Sequence, residues 1–231
     1  MAATLHARAG AIQRSRSGEK SRLRLMAAGC ELLEATSYRD LLVEAICQRA
    51  GVAKGTFYIY FSSKELFLRA LGEAYVAFEL ETYPAFPDGP GGFASSRRWI
   101  AWYEGMFAAN VGILRCIVQM GAEDAAMREL WHLRNGRLVD RAMAPRAERD
   151  PPEALEVRRW ALRAAGGMLD QSLFERFGVQ LGPGLDEPKD PDLLIDLHAL
   201  LNYRALTGRD PPADSLPADS PLRILLSQRA R

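Results

Sequence analysis

The chain has 231 residues, 48% of them hydrophobic and 26% charged, with a formal net charge of +1, the proportions of a globular protein able to bury a sizeable core. Its apolar runs are a few residues long, far short of the roughly 20 that span a bilayer, and residues 1–10 lack the apolar stretch of a signal peptide, so a cytoplasmic location and no membrane partner are expected. Cys30, Cys47 and Cys116 are odd in number and far apart, and His6, His132 and His198 are isolated from one another, so neither a disulfide framework nor a metal site or other cofactor is expected.

The small net charge hides an asymmetry. Residues 1–72 hold eleven Lys and Arg against six Asp and Glu, and the remainder is net acidic. Such a distribution suits a small nucleic-acid-binding module joined to a domain with another task.

In chain order, residues 1–17 carry Arg8, Arg14 and Arg16 without sustained periodicity and read as a mobile basic arm. A first helix over about 18–35, with Ser17 as N-cap, follows from Leu25, Gly29, Leu32, Leu33 and Thr36. Val43, Ile46, Cys47 and Ala50 mark a second, short helix that Gly51 ends. In the third, AKGTFYIYF, Phe57 and Phe61 share one face and Lys54, Thr56, Tyr58 and Ile59 project elsewhere. Ser62 and Glu65 have capping-box spacing for a fourth helix reaching about Tyr83, with Phe61 stapled to Leu66 and Phe67, Leu71, Ala74, Tyr75 and Phe78 as its buried stripe. Pro84, Pro87, Gly89, Pro90 and Gly91 stop it. Beyond lie helices over about 94–110, 111–120, 124–144, 152–177 and 191–207, separated by Gly121, Pro145, Pro151 with Pro152, and the 182–188 stretch. The tail after Gly208 is rich in Pro, Asp and Ser, with 222–226 able to dock. The fold class is therefore all-α. It comprises an N-terminal three-helix domain over 18–72 containing a helix-turn-helix, and a C-terminal helical domain over 73–231.

Two short helices joined by a tight Gly turn have the geometry that inserts a second helix into the DNA major groove, but such pairs also serve as packing units in all-α proteins. Lys54 and Thr56 at the start of that second helix can meet guanine acceptors or phosphate oxygens, and Tyr58 and Tyr60 add phenolic donors. Lys64, at the next helix start, joins its charge to the helix dipole as a phosphate position.

These residues carry a resemblance. The segment Leu25 to Leu71, above all AGVAKGTFYIYFSSKELF, closely resembles the DNA-binding domain of the TetR family of bacterial repressors. That resemblance implies about nine helices, a homodimer on double-stranded operator DNA, and a small-molecule inducer pocket in the C-terminal domain, and it implies repression by family habit, with activation as the alternative. It implies groove contacts from Lys54, Gly55, Thr56 and Ile59 and phosphate contacts from Tyr58, Tyr60 and Lys64. Gly55 then lets the helix backbone approach the groove. For Tyr60 a core role beside Phe61 competes, and for Ile59 solvent competes with a thymine methyl. The chain departs from the family at Ala53, which leaves this helix without a side-chain N-cap, and at Leu42, where Asp40 would have to take over capping. Glu44, where some relatives offer Arg to a base, either accepts from a cytosine amine or faces solvent.

For the inducer, Trp99, Trp102, Tyr103, Phe107, Met120, Trp131 and Trp160 are the candidate lining, though each can equally be core. Glu104, Glu123 and Asp170 are possible charged handles. By the resemblance, the helices over 152–177 and 191–207 build a four-helix dimer interface, with Leu193, Leu194, Leu197, Leu200 and Leu201 as a stripe and Ala161, Ala164, Ala165, Gly166 and Gly167 admitting close approach. An all-helical enzyme is the other class weighed. It is not expected, because no GxSxG, HExxH or phosphate loop occurs and no Ser or Cys pairs with a His at helical spacing.

Overall fold

A computed structural model describes residues 1–11, 17–85, 92–178 and 190–226. Among these the chain is all-α, with no strand: α1 Ala2–Ala11, α2 Ser17–Ala35, α3 Val43–Ala50, α4 Lys54–Tyr60, α5 Lys64–Glu81, α6 Phe93–Ala108, α7 Val111–Gly121, α8 Ala125–Met143, α9 Pro152–Leu173 and α10 Pro191–Thr207. The side chain of Ser17, its proposed capping role, and the separators at 87–91 and 182–188 lie outside the described residues. No helix among them is long and apolar enough to cross a membrane.

The helices form two compact units, one of Met1–Thr82 with Ala109–Arg134, the other of Tyr83–Ala108 with Asn135–Arg231. In the first unit α5 runs on past Gly72 and α7 packs against α2.

In the first unit, Leu25, Met26, Leu33, Ile46, Phe57, Phe67, Leu68 and Leu71 are fully or almost fully buried. Packing is close enough to require glycine at two crossings. A Cβ on Gly29 would come within 2.5 Å of the Phe67 ring, and one on Gly112 within 2.5 Å of the Leu33 backbone. The cysteines are buried as expected, and burial pushes the Cys30 and Cys116 thiols up to about 12.

The N-terminal segment is corrected by the structure. Residues 2–11 form a helix packed on α2, with Leu5 and Ala9, one turn apart, buried. The cause is its alanine content, which favours helix, and the docking of that small apolar face. The Met1 ammonium, its pKa lowered by burial, donates to Asn110 Oδ1 at 2.8 Å. Arg8 pairs with Glu81, and His6 shares Glu31 with Arg49 of α3. Arg14 and Arg16 lie outside the described residues.

Deeper in this unit, Arg134 and Glu79 form a two-point ion pair at 2.5 and 2.7 Å with both side chains 1% exposed. The Tyr75 hydroxyl donates to Glu79 at 3.0 Å, and Trp131 lies 4.8 Å below the guanidinium. A buried charge is tolerated only when paired and hydrogen-bonded in this way.

The second unit packs α6 against α10 and α9. Ile100, Tyr103, Phe107, Leu162, Leu169, Leu173, Ala199 and Leu200 make its interior. α9 ends in a wider π-type turn, Phe174–Gly178. The tail docks through a 3₁₀ turn at Pro221–Leu225, where Leu222 is buried and Arg204 donates to the Leu225 carbonyl.

Candidate nucleic-acid interface

The helix-turn-helix is α3, the Gly51 turn and α4. Gly51 adopts φ +67°, ψ +41°, a left-handed conformation that an L side chain rarely takes. Its N–H and that of Val52 close back on the Gln48 and Cys47 carbonyls. The chain thus reverses in two residues and launches α4.

α4 is held by one anchor. Phe57 is 0% exposed, with Phe61 and Phe67 at ring distances of 5.6 and 5.4 Å. With Phe57 inward, the geometry of a helix turns Gly55 and Ile59 outward with Tyr58 at the flank, and these and Lys54 in the first turn are exposed, Ile59 by 77% and Tyr58 by 48%. Thr56 is half-buried at the flank. Tyr60 is half-buried, its ring 6.4 Å from Phe61.

As expected, α4 has Ala53 at its N-cap and no side-chain cap. α3 likewise starts from Leu42 without one. Asp40 does not substitute, because its carboxylate accepts from Ser37 Oγ at 2.6 Å. The next start differs by one residue from the capping-box spacing. Ser63 rather than Ser62 caps α5, accepting from Leu66 N at 3.2 Å. That shift leaves Leu66 45% exposed and gives the staple to Phe67, whose ring is 5.0 Å from Phe61.

The cations of this surface are engaged. Lys54 Nζ pairs with Glu44 Oε1 of α3, an exposed contact that lowers the Glu44 pKa and raises that of Lys54. Lys64 Nζ donates to the Tyr38 and Arg39 carbonyls at 3.1 and 3.0 Å, so it fastens the turn between α2 and α3 as well as standing at the start of α5. Neither partnership is visible in local spacing, since 10 and about 25 residues separate the groups.

Residues 25–71 match the model of the bacterial regulatory proteins of the TetR family. The transcriptional regulator EthR of Mycobacterium tuberculosis is 27% identical over 191 residues, 78% of this chain and 86% of EthR, and EthR of Mycobacterium bovis matches to the same extent. A TetR-family transcriptional regulator from Streptomyces coelicolor superposes with a TM-score of 0.66 at 14% identity, covering 90% of this chain and 94% of its own. A structure from Mesorhizobium loti gives 0.64 at 12%, covering 85% and 98%. At those identities the superpositions establish the fold. The matched DNA-binding domain, with relatives that are themselves transcriptional regulators, makes the chain a DNA-binding transcriptional regulator rather than an enzyme.

The seven candidate ligand residues are divided between the two units. Trp99, Trp102, Tyr103 and Phe107 line up on α6 in the second unit. Trp99 stacks on Tyr103 at 5.0 Å, Phe107 meets Phe174 edge-on at 4.8 Å, and Trp102 meets Tyr83 at 5.4 Å. Met120 and Trp131 belong to the first unit, Met120 beside Cys116 and Trp131 under Arg134. Trp160 is 66% exposed on α9, at a surface depression with Val139, Asp140 and Arg159.

Of the charged handles, Asp170 accepts from the Tyr103 hydroxyl. Glu104 is buried between Arg176 at 3.1 Å and His198 Nδ1 at 2.8 Å, and Ser172 Oγ lies 3.1 Å from His198 Nε2. Glu123 is exposed and pairs with Arg39. The Ser172–His198–Glu104 line is a polar contact that the search at helical spacing did not cover. Its members are 26 and 94 residues apart, so helical spacing could not reveal it. Ser172 sits inside α9, where backbone N–H groups are committed to the helix, and an acyl-transfer site needs such donors free for an oxyanion. The line joins α6, α9 and α10 as a buried polar tie.

Proposed function

We propose that this regulator is a homodimeric repressor whose two α4 helices occupy successive major grooves of a near-palindromic operator, and which a small molecule releases. The observation that carries the reading is the outer face of α4. Gly55, Tyr58 and Ile59 are held outward by one buried phenylalanine on a helix launched by a Gly turn, with Lys54 exposed in its first turn. Thr56 flanks that face, and Tyr60 and Lys64 provide phosphate positions at its end.

Dimerisation is supported by α9. Val157, Trp160, Ala164, Met168 and Gln171 recur at three- and four-residue steps and are all exposed. Gly166 and Gly167 have open space where a Cβ would stand. Beside them Leu197 and Leu201 of α10 line a groove with Met168, Leu169 and Ala165. A long helix with an apolar outer stripe is the form of a C2 helix-bundle interface.

For the inducer, the α6 aromatic group is the supported region, an apolar wall with the Tyr103 hydroxyl and Asp170 as polar points. Every tryptophan lies outside 18–72, so ligand entry is read by fluorescence. Selection of genomic fragments on the full chain, with sedimentation of the free protein, tests the reading. It expects a dimer and an enriched palindrome, and a monomer at micromolar concentration or no enriched sequence overturns it. For release, a compound that changes the fluorescence and leaves operator affinity unchanged at saturation overturns the coupling, which must be reciprocal.

A further inference from the structure

The matched segment 25–71 begins inside α2, so α1 stands ahead of it as an additional helix. A stretch of ten residues does not hold a helix in water by itself. α1 is helical because it is docked, with Leu5 and Ala9 buried against α2. Two buried side chains and exposed ion pairs are set against the ordering of the whole segment, which makes that docking reversible.

The place where α1 docks gives this reversibility a consequence. His6 Nε2 lies 2.7 Å from Glu31 Oε1, and the other oxygen of the same carboxylate accepts from Arg49 Nε at 2.5 Å. Arg49 and then His6 hold the Glu31 pKa down. Arg49 stands in the last turn of α3, just before the Gly51 turn that launches α4. Among the described residues α3 makes two ion pairs. Glu44–Lys54 stays inside the helix-turn-helix, and Arg49–Glu31 leaves it. Neither α3 nor α4 has a side-chain N-cap to stiffen its start. Arg8, on the same helix as His6, pairs with Glu81 at the end of α5. α1 therefore ties the far end of α5 to α2 and, through Glu31, to α3.

We propose that α1 is a strap that positions the helix-turn-helix. Docked on α2, it fixes the Glu31 carboxylate, and with it Arg49 and the angle at which α3 presents α4 to DNA. Leu5, Ala9, His6 and Glu31 are then positioning residues that act through α3. The inference rests on α3 and α4 being the DNA-binding unit.

The test uses the full chain, the operator obtained by fragment selection, and a random duplex at the same salt. Leu5→Asn combined with Ala9→Asn releases α1 without adding charge, and hydrogen exchange of residues 2–11 reads the release. Operator affinity is expected to fall by about two- to thirtyfold. Random-duplex affinity and its salt slope, which count phosphate contacts, are expected to stay at the wild-type values. A mere loss of stability would lower both affinities together and leave their ratio unchanged. In a Glu31→Ala background, where the link to α3 is already cut, releasing α1 is expected to change the ratio no further. An unchanged operator-to-random ratio on release overturns the strap. So does an equal additional drop in the Glu31→Ala background, because α1 would then act elsewhere than through Arg49. Continued protection of residues 2–11 in the variant overturns docking by Leu5 and Ala9. A rise in random-duplex affinity on release makes α1 a DNA-contacting arm and overturns the strap as well. A wild type that does not distinguish operator from random duplex removes the DNA reading itself, a result separate from all of these.

Discussion

The outer face of α4 and the outer face of α9 both expose large apolar side chains, yet they are built differently. On α4 the apolar residue Ile59 is interleaved with Lys54, Gly55 and Tyr58 on a helix of seven residues anchored by one aromatic ring. On α9 the exposed residues Val157, Trp160, Ala164 and Met168 form a stripe along a helix of 22 residues, beside half-buried leucines of α10. A short mixed face suits the edge of a base pair, where polar and apolar groups alternate over a few ångströms. A long apolar stripe suits another helix. Exposure alone does not name a partner. The alternation of chemistry along the exposed face does.

The comparison breaks most severely at α9. Met168→Asp places a charge in the stripe at a position already 58% exposed, so the subunit should keep its helicity and sediment as a monomer. Affinity for a two-half-site duplex should fall by about a hundredfold or more through loss of bivalency. A Met168→Asp dimer of unaltered affinity would remove α9 from the interface.

A core substitution calibrates both faces. Glu79→Ala removes the carboxylate that forms the two-point ion pair with buried Arg134 and should cost about 3 to 5 kcal/mol of stability, measured by urea unfolding. Loss of DNA binding in that variant should therefore track unfolding, unlike losses caused at either surface.

On the α4 side, Thr56→Ala should weaken operator binding by about 1 to 3 kcal/mol with helicity unchanged. Smaller again is the effect at Glu44. Glu44→Gln removes the carboxylate that holds Lys54, freeing one cation for phosphate, so the slope of log affinity against log salt should steepen by about one unit and non-specific binding should rise. The Glu44 pKa is lowered by Lys54. A carboxylate with a depressed pKa keeps its pairing above its ordinary range and loses it as pH falls through the lowered value, so the wild-type slope should approach that of Glu44→Gln only in acid.

The sequence made the all-α class, the α3–Gly51–α4 unit and the outward set on α4 legible, because each rests on local periodicity and one left-handed glycine. What escaped it was set by distant partners. For Lys64 the sequence shows the helix start but not the donation to the Tyr38 and Arg39 carbonyls. Residues 2–11 read as a loose basic arm because two buried residues, Leu5 and Ala9, are too few for a periodic signal, and the Asn110 and Glu81 contacts that hold the segment lie far along the chain. The ligand candidates were chosen by residue type, which does not tell a buried Tyr103 from an exposed Trp160.

Gly55→Ala tests the central claim most directly, because the account separates its two effects completely. The added methyl meets nothing within 4 Å in the protein, and alanine is favoured over glycine in a helix by about 1 kcal/mol. Thermal unfolding of the variant should therefore occur at the same temperature as the wild type or a few degrees above it. Its affinity for the selected operator, measured by fluorescence anisotropy on the same preparation, should fall by about tenfold or more. A stable Gly55→Ala protein that binds the operator as tightly as the wild type would contradict the assignment of this face to DNA.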